Sequence, residues 1–204
     1  MKKVLRFLLL SSISVFLIHC GQPRYETAVP RGLDKKFATY AYSKENSDLV
    51  VILDYEMALR RKGENYFPLS IKIANKNLLS LTLDRDSLTL IDVNSEVYFM
   101  PTVNELQANY DKLIPDHKFM SRTGLLADKM STSFSFYRKA QSNFFPQTQG
   151  AGRIIDTVYI QNKGFMEDFI YFPMPLEGIS GRVFILRIEA PELDFPFEIR
   201  FRIK

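Results

Sequence analysis

The last ten residues alternate almost without a break. Phe195, Phe197, Ile199, Phe201 and Ile203 fall on one side, and Glu198, Arg200, Arg202 and Lys204 on the other. A period of two belongs to a strand with one face on a core and one in water. The pattern recurs upstream. Val51, Leu53, Tyr55 and Met57 alternate with Ile52, Asp54 and Glu56; Phe67, Leu69, Ile71 and Ile73 alternate with Pro68, Ser70 and Lys72; Phe184, Leu186 and Ile188 alternate with Arg187 and Glu189. Leu81 and Leu83, Leu88 and Leu90, and Val97-Tyr98-Phe99 form shorter pieces, with Asn75-Lys76-Asn77 and Asn94-Ser95 as turns. Phe169 to Phe172 is a compact apolar run before Pro173. Many short strands separated by turns predict an antiparallel sandwich or barrel. With 204 residues, 46% apolar and 25% charged, the chain is of ordinary globular composition and one or at most two domains. A disordered chain, a collagen-like fibre and a multi-span membrane protein are excluded.

Residues 101–153 break the alternation, and a structureless loop of that length inside a domain would be unusual. Thr102-Val103-Asn104-Glu105 has the form of a capping box after Pro101. Val103, Leu106, Tyr110 and Leu113 follow at helical spacing, with Pro115 expected to end the helix. Asp116 is placed as the cap of a second helix, whose apolar face would carry Phe119, Thr123, Leu126, Met130, Phe134 and Tyr137. Gly124 would weaken that helix by about 1 kcal/mol relative to Ala. Asn143-Phe144-Phe145-Pro146 would stop it.

The N-terminus is of another kind. Lys2, Lys3 and Arg6 precede an apolar run, Phe7 to Ile18, broken only by Ser11, Ser12 and Ser14. A basic start and a short apolar run read as a secretory signal; about 20 apolar residues would be needed to span a bilayer. Leu17-Ile18-His19-Cys20 resembles the lipobox of bacterial lipoproteins, with His19 where Gly, Ala or Ser is usual. That resemblance implies cleavage before Cys20, acylation of its thiol, and attachment to a membrane of a bacterial cell envelope, with the outer membrane expected. Without residues 1–19 the Lys+Arg count falls from 27 to 24 against 23 Asp+Glu, so the remainder is near +1. Nothing in the bulk charge then argues for nucleic-acid binding. Residues 21–36, with Gly21, Pro23, Pro30 and Gly32, read as a tether.

Two stretches carry a further resemblance. Tyr66-Phe67-Pro68-Leu69, Ile73-Ala74-Asn75, Leu88-Thr89-Leu90-Ile91-Asp92 and Tyr98 look like strands of bacterial lipoproteins with an immunoglobulin-like domain. Asp168-Phe169-Ile170-Tyr171-Phe172-Pro173 and Gly181-Arg182-Val183-Phe184 are similar to that family's closing strands. The expected organisation is therefore a signal peptide at 1–19, a lipidated Cys20 and tether at 20–36, and an immunoglobulin-like antiparallel β-sandwich at 37–204. A helical hairpin is inserted at about 102–141. The resemblance implies envelope location and a binding or structural role.

Catalytic chemistry is hard to assemble from these residues. His117 is the only His after residue 19, and Cys20 is the only Cys. A Ser-His-Asp or Cys-His arrangement would have to use that one imidazole, read as a solvated side chain near a helix start. Zinc normally takes several Cys or His ligands. Asp84, Asp86 and Asp92, and the pair Glu167 and Asp168, lack a calcium-loop spacing; Asp84-Arg85-Asp86 reads as a turn that Arg85 neutralises. Asp54 and Glu56 read as one solvated strand face, and Gly150-Ala151-Gly152 as a junction rather than a phosphate cradle.

No catalytic residue, metal or cofactor is therefore expected. The expected role is non-enzymatic: binding or scaffolding at a membrane, including as an accessory subunit of an envelope assembly with a protein partner. The competing reading is a surface adhesin or a sugar- or peptide-binding module. Insertions on rigid scaffolds are where binding residues concentrate, and the end of this one is rich in aromatics and cations. Lys129, Arg138, Lys139, Phe144 and Phe145 are the expected recognition residues, with core packing as the competing role of the two Phe.

Overall fold

The structure, a computed structural model, describes residues 32–119, 136–145 and 153–204. Cys20, Lys129 and the helix positions Thr123, Leu126, Met130 and Phe134 lie outside the described residues. The described chain is mainly β, in several antiparallel sheets. It runs β1 (Lys35–Lys36), β2 (Ala41–Glu45), β3 (Leu49–Asp54), α1 (Glu56–Arg60), β4 (Tyr66–Asn75), β5 (Ser80–Asp84), β6 (Leu88–Asp92), β7 (Val97–Phe99), α2 (Val103–Asn109), β8 (Arg138–Lys139), β9 (Thr157–Gln161), β10 (Gly164–Pro173), β11 (Val183–Ile188) and β12 (Phe197–Arg202).

One sheet has the order β1-β2-β3-β4-β10-β8, a second β12-β11-β6-β7, and β5 pairs with β9. Every pairing is antiparallel except β8 with β10. The two larger sheets face each other across one hydrophobic cluster. Phe67 of β4 meets Phe184 of β11 at 6.2 Å between ring centroids, and Tyr42 of β2 meets Phe201 of β12 at 6.3 Å. Leu81, Leu83, Leu88, Leu90, Phe184, Leu186 and Ile188 are all buried, as their alternation predicts. So are Phe197, Ile199, Phe201 and Ile203, while Arg202 and Lys204 are exposed. Phe195 departs from that face at 83% exposure. Pro196 has no N–H to offer a ladder, and the strand starts after it.

Several expectations are corrected. The β3 alternation stops at Asp54, and Tyr55 and Met57 enter the core through the turn into α1 instead of along a strand. Asp54 Oδ1 accepts the Glu56 N–H at 2.8 Å, so these acids do not share a strand face. The link into the fold begins before residue 37. Asp34 N–H donates to Arg200 O at 2.9 Å, Asp34 Oδ2 accepts the Arg200 N–H at 2.6 Å, and Lys35 and Lys36 pair with β2. Arg85 bonds Asp156 and the Phe144 carbonyl instead of neutralising its neighbours; Asp84 holds the turn by accepting the Ser87 N–H at 2.7 Å.

The inserted helices form a third layer. Thr102 Oγ1 accepts the Glu105 N–H at 3.2 Å and Glu105 Oε2 accepts the Thr102 N–H at 2.8 Å, the reciprocal bonds of a capping box. The helix ends at Asn109, well before Pro115. Residues 113–119 are helical, so Pro115 lies in the first turn of the next helix, where a missing N–H costs nothing. Asp116 is inside that helix and caps nothing. Tyr137 follows a turn at Phe136 and lies outside any helix.

The strand register locates this layer. Phe67 points into the sandwich, so Tyr171, opposite Pro68 in the β10–β4 ladder, points out of it. Tyr171 is nevertheless fully buried. Tyr110 meets it edge-on at 5.6 Å and Phe145 at 5.2 Å. Val103, Leu106, Tyr110, Leu113, Phe144 and Phe145 all belong to the main core cluster. The outer face of β4 and β10 is covered by the insertion, and these strands are buried on both faces.

Candidate functional site

A buried polar cluster joins the insertion to the sheet. Arg61, just after α1, donates from Nε to Asp116 Oδ1 at 2.7 Å and from Nη2 at 2.6 Å. Asp116 Oδ2 accepts the Tyr110 hydroxyl at 2.6 Å and the Tyr171 hydroxyl at 3.3 Å. Asp116 is completely buried, and burial pushes its carboxyl pKa up against the pull of Tyr110 and Arg61. His117 is not the solvated side chain expected from sequence. Its ring stands edge-on to Phe169 at 5.6 Å, Nε2 is buried without a partner, and burial lowers its pKa to about 4. The helix that carries it packs on the outer sheet face, which drives the imidazole into apolar surroundings. Asp116 and His117 are next to each other, but each side chain is committed to packing. Tyr171 is fully buried behind them.

Asp168 is a second buried carboxylate. It accepts the Phe144 N–H at 3.1 Å and the Phe169 N–H at 2.8 Å, and burial raises its pKa to about 6. Asp92 accepts the Asn94 and Glu96 N–H groups and pairs with Arg182, a turn-building role. Among the described residues no three His, Cys, Asp or Glu side chains converge to hold a metal ion.

Among the described residues an accessible groove lies elsewhere, at the β8 edge of the six-stranded sheet. It is built on the tight β9–β10 hairpin. Lys163 sits at φ +54, a left-handed conformation uncommon outside glycine. Gly164 follows because nothing larger fits: a Cβ there would stand 2.8 Å from the Gln161 carbonyl oxygen. The hairpin is tied down from behind. Lys163 N–H donates to Asn75 O at 3.1 Å, Asn162 N–H to Leu79 O at 3.1 Å, and the Asn162 amide to Leu78 O at 3.1 Å. β8 then lies alongside, with Arg138 N–H on Lys163 O at 2.9 Å and Ala140 N–H on Phe165 O at 2.7 Å.

These elements enclose an open groove of about 550 Å³, lined by Phe136, Arg138, Lys139, Tyr159, Gln161 and Lys163 among others. Its charge is one-sided. Glu167 is shared by Lys139 at 3.4 Å and Lys72 at 3.9 Å. Lys163 Nζ stands 5.9 Å from the Tyr137 ring centroid, and Arg138 has no ion-pair partner among the described residues. Three cations, Arg138, Lys139 and Lys163, line the groove, and Lys139 shares Glu167, outside the lining, with Lys72. Phe136 is 91% exposed and Tyr159 67% exposed at the groove, so two aromatic rings stand in water beside them.

Of the expected recognition residues, Arg138 and Lys139 lie in this groove. Phe144 and Phe145 do not. They are 0% and 1% exposed, and they plug the join between insertion and sheet, so a partner cannot reach them. Lys129 and Cys20 lie outside the described residues. Tyr159, Gln161 and Lys163 were missed by sequence reasoning. The available signal was Asn162-Lys163-Gly164, a turn tripeptide between two alternating runs.

No protein-family model matches this chain, and no curated protein matches it. Among solved structures, the chain is similar to a crystal structure of a DUF4426 family protein from Pseudomonas aeruginosa. The identity is 12%, the match covers 79% of this chain and 97% of the other, and the TM-score is 0.29. A TM-score that low carries no argument about how this chain folds or acts.

Proposed function

We propose that the chain is a lipid-anchored cell-envelope lipoprotein with a non-enzymatic binding role, exercised through the groove at the β8 edge. The observation that carries this reading is the groove itself: an open, cationic surface flanked by two exposed aromatic rings. Pockets with a few convergent polar groups on a fixed scaffold are the usual form of a binding site. Anchoring rests on the basic start, the apolar run and the lipobox-like Leu17-Ile18-His19-Cys20. One acyl chain anchors only marginally, so stable attachment needs further chains.

An immunoglobulin-like sandwich is supported by strand connectivity. β3, β4 and β10 follow the A-B-E order, and β12, β11, β6 and β7 the G-F-C-C′ order, with the same antiparallel pairings. Strand order also separates anchor from groove. β1, where the tether enters, and β8 are at opposite edges of the sheet, about 24 Å apart at five strand spacings. Between Cys20 and Asp34 the tether reaches at most about 50 Å. The groove is thereby free to face away from the bilayer towards a partner or ligand.

Mass spectrometry of the envelope protein tests the anchor. Cleavage before Cys20 and acylation of its thiol are expected; an intact Met1 with an unmodified Cys20 overturns it. A photo-crosslinking residue in place of Tyr159, used in intact cells, tests the groove. A specific adduct that is lost in Arg138→Ala is expected, and an adduct pattern indifferent to Arg138 refutes the binding reading.

A further inference from the structure

The groove combines features that are seldom needed together. We infer that it binds an acidic glycan, a chain of sugar rings bearing carboxylate or phosphate groups, and this rests on the binding role proposed above. Each lining group answers to one part of such a ligand. Arg138, Lys139 and Lys163 supply the positive charge, with Lys139 and Lys72 sharing the Glu167 carboxylate. A guanidinium makes bidentate bonds to carboxylate or phosphate, and a low-lying cluster of like charges draws anions in. Phe136 and Tyr159 offer exposed aromatic faces, whose negative π clouds suit the C–H face of a sugar ring. Gln161 lines the same groove with an amide that both donates and accepts, as hydroxyls require.

Alternative ligands explain less. A simple inorganic anion would use the cations and leave both aromatic rings idle. A neutral apolar ligand would use the rings and leave the cations unanswered. The groove is open, so a polymer can pass through it where a closed pocket would admit only a small molecule. Its hairpin floor is held by four bonds to the Asn75–Leu79 segment and by the left-handed Lys163, so little ordering remains for the ligand to induce.

The test uses the full chain purified in detergent micelles, with polygalacturonic acid as the acidic glycan, neutral dextran as its uncharged counterpart, inorganic phosphate as a bare anion, and vesicles of phosphatidylglycerol against phosphatidylcholine. Saturable binding to polygalacturonic acid is expected, with dextran weaker by about tenfold or more, since charge-assisted contacts carry the discrimination. Tyr159→Ala and Arg138→Gln should each weaken it about tenfold while the melting temperature stays put, because both side chains are exposed. Lys163→Asn removes a charge yet tolerates the left-handed turn, and should act like Arg138→Gln. Phosphate competing at concentrations comparable to the glycan, or Tyr159→Ala without effect, overturns the inference in favour of plain ion exchange. Preference for phosphatidylglycerol vesicles over the free polymer would assign the same chemistry to a lipid headgroup, and it overturns the glycan. If none of the probes binds while the Tyr159 crosslink still captures an Arg138-dependent adduct, the glycan is wrong and the binding role stands. If the crosslink fails as well, both fall.

Discussion

Asp116→Ala is the substitution with the largest expected effect outside the central core. It removes the one acceptor shared by Arg61, Tyr110 and Tyr171. The Arg61 side chain is only 16% exposed and would be left charged and unpaired, while two hydroxyls would lose their partner beneath the helix layer. Removing one member of a buried ion pair typically costs about 3–5 kcal/mol, most of it the penalty of the stranded charge. For a domain of this size each kcal/mol moves the melting temperature by roughly 2–4 °C, so a fall of about 6–20 °C is expected. Asp116→Asn keeps an acceptor for the tyrosines but loses the charge pairing, and should fall between. The decisive variant is the double Asp116→Leu with Arg61→Met. Replacing both ions by apolar groups of similar volume is often neutral or stabilising, so the double should melt above Asp116→Ala. The assay is thermal and urea unfolding followed by circular dichroism. A shift below about 2 °C for Asp116→Ala would refute the reasoning, because an uncompensated buried guanidinium cannot be that cheap. Simple additivity of the two single variants would refute it too, since residues in direct contact should couple.

Phe201→Ala should cost about 3–5 kcal/mol and Arg202→Ala within about 0.5 kcal/mol, measured by urea unfolding; equal losses would contradict the β12 register. Gly164→Ala sets a methyl group 2.8 Å from a backbone oxygen that cannot swing aside, so the β9–β10 hairpin should distort, lowering the melting temperature and impairing groove binding together. His117, with a folded pKa of about 4 against 6.5 when free, contributes stability that is full above about pH 6.5 and lost as pH falls towards 4. Asp54 and Asp168, raised to about 6 from 3.8, act in the opposite sense: their contribution is present below 3.8 and lost as pH rises through 6. His117→Gln should therefore raise the melting temperature at about pH 4.5 relative to that at about pH 7, compared with the unsubstituted chain, and an unchanged difference would mean that burial does not hold the imidazole neutral.

Period-two alternation carried β5 and β12, because their polar positions are exposed or half-buried while the apolar ones are buried. It misled at β4 and β10. Pro68, Ser70 and Lys72 look solvated by type, yet Pro68 and Lys72 are buried and Lys72 is paired with Glu167. The warning lay in β10, where Phe169 to Phe172 is an unbroken apolar run of the kind expected of strands covered on both faces. The capping box was legible because it is a local hydrogen-bond pattern. The role of Asp116 was not, because its partners Arg61 and Tyr171 are each 55 residues away in sequence. The groove was half legible. Arg138 and Lys139 stood out as cations beside aromatics, but Tyr159 and Lys163 join them only when the β9–β10 hairpin folds back on β8.

The same logic explains why binding potential collects where it does. An inserted layer that covers a sheet face must bury its own apolar stripe, and here it uses Phe144, Phe145, Tyr110 and Leu106 to do so. Those residues are thereby withdrawn from recognition, however aromatic the segment looks in sequence. What stays accessible is the point where the chain leaves that layer and runs as β8 beside the β9–β10 hairpin. There the sheet edge is only two residues long, the backbone is held by the hairpin, and the Arg138 and Lys139 side chains are exposed. Arg138 and Lys139 can keep their charge in water at that edge at almost no cost in stability, whereas the same charges two strands inward would need partners, as Lys72 does. On the proposed binding role, cover and recognition are divided between neighbouring parts of one insertion. Substitutions at Phe144 or Phe145 should register in stability, and those at Arg138 or Lys139 in binding.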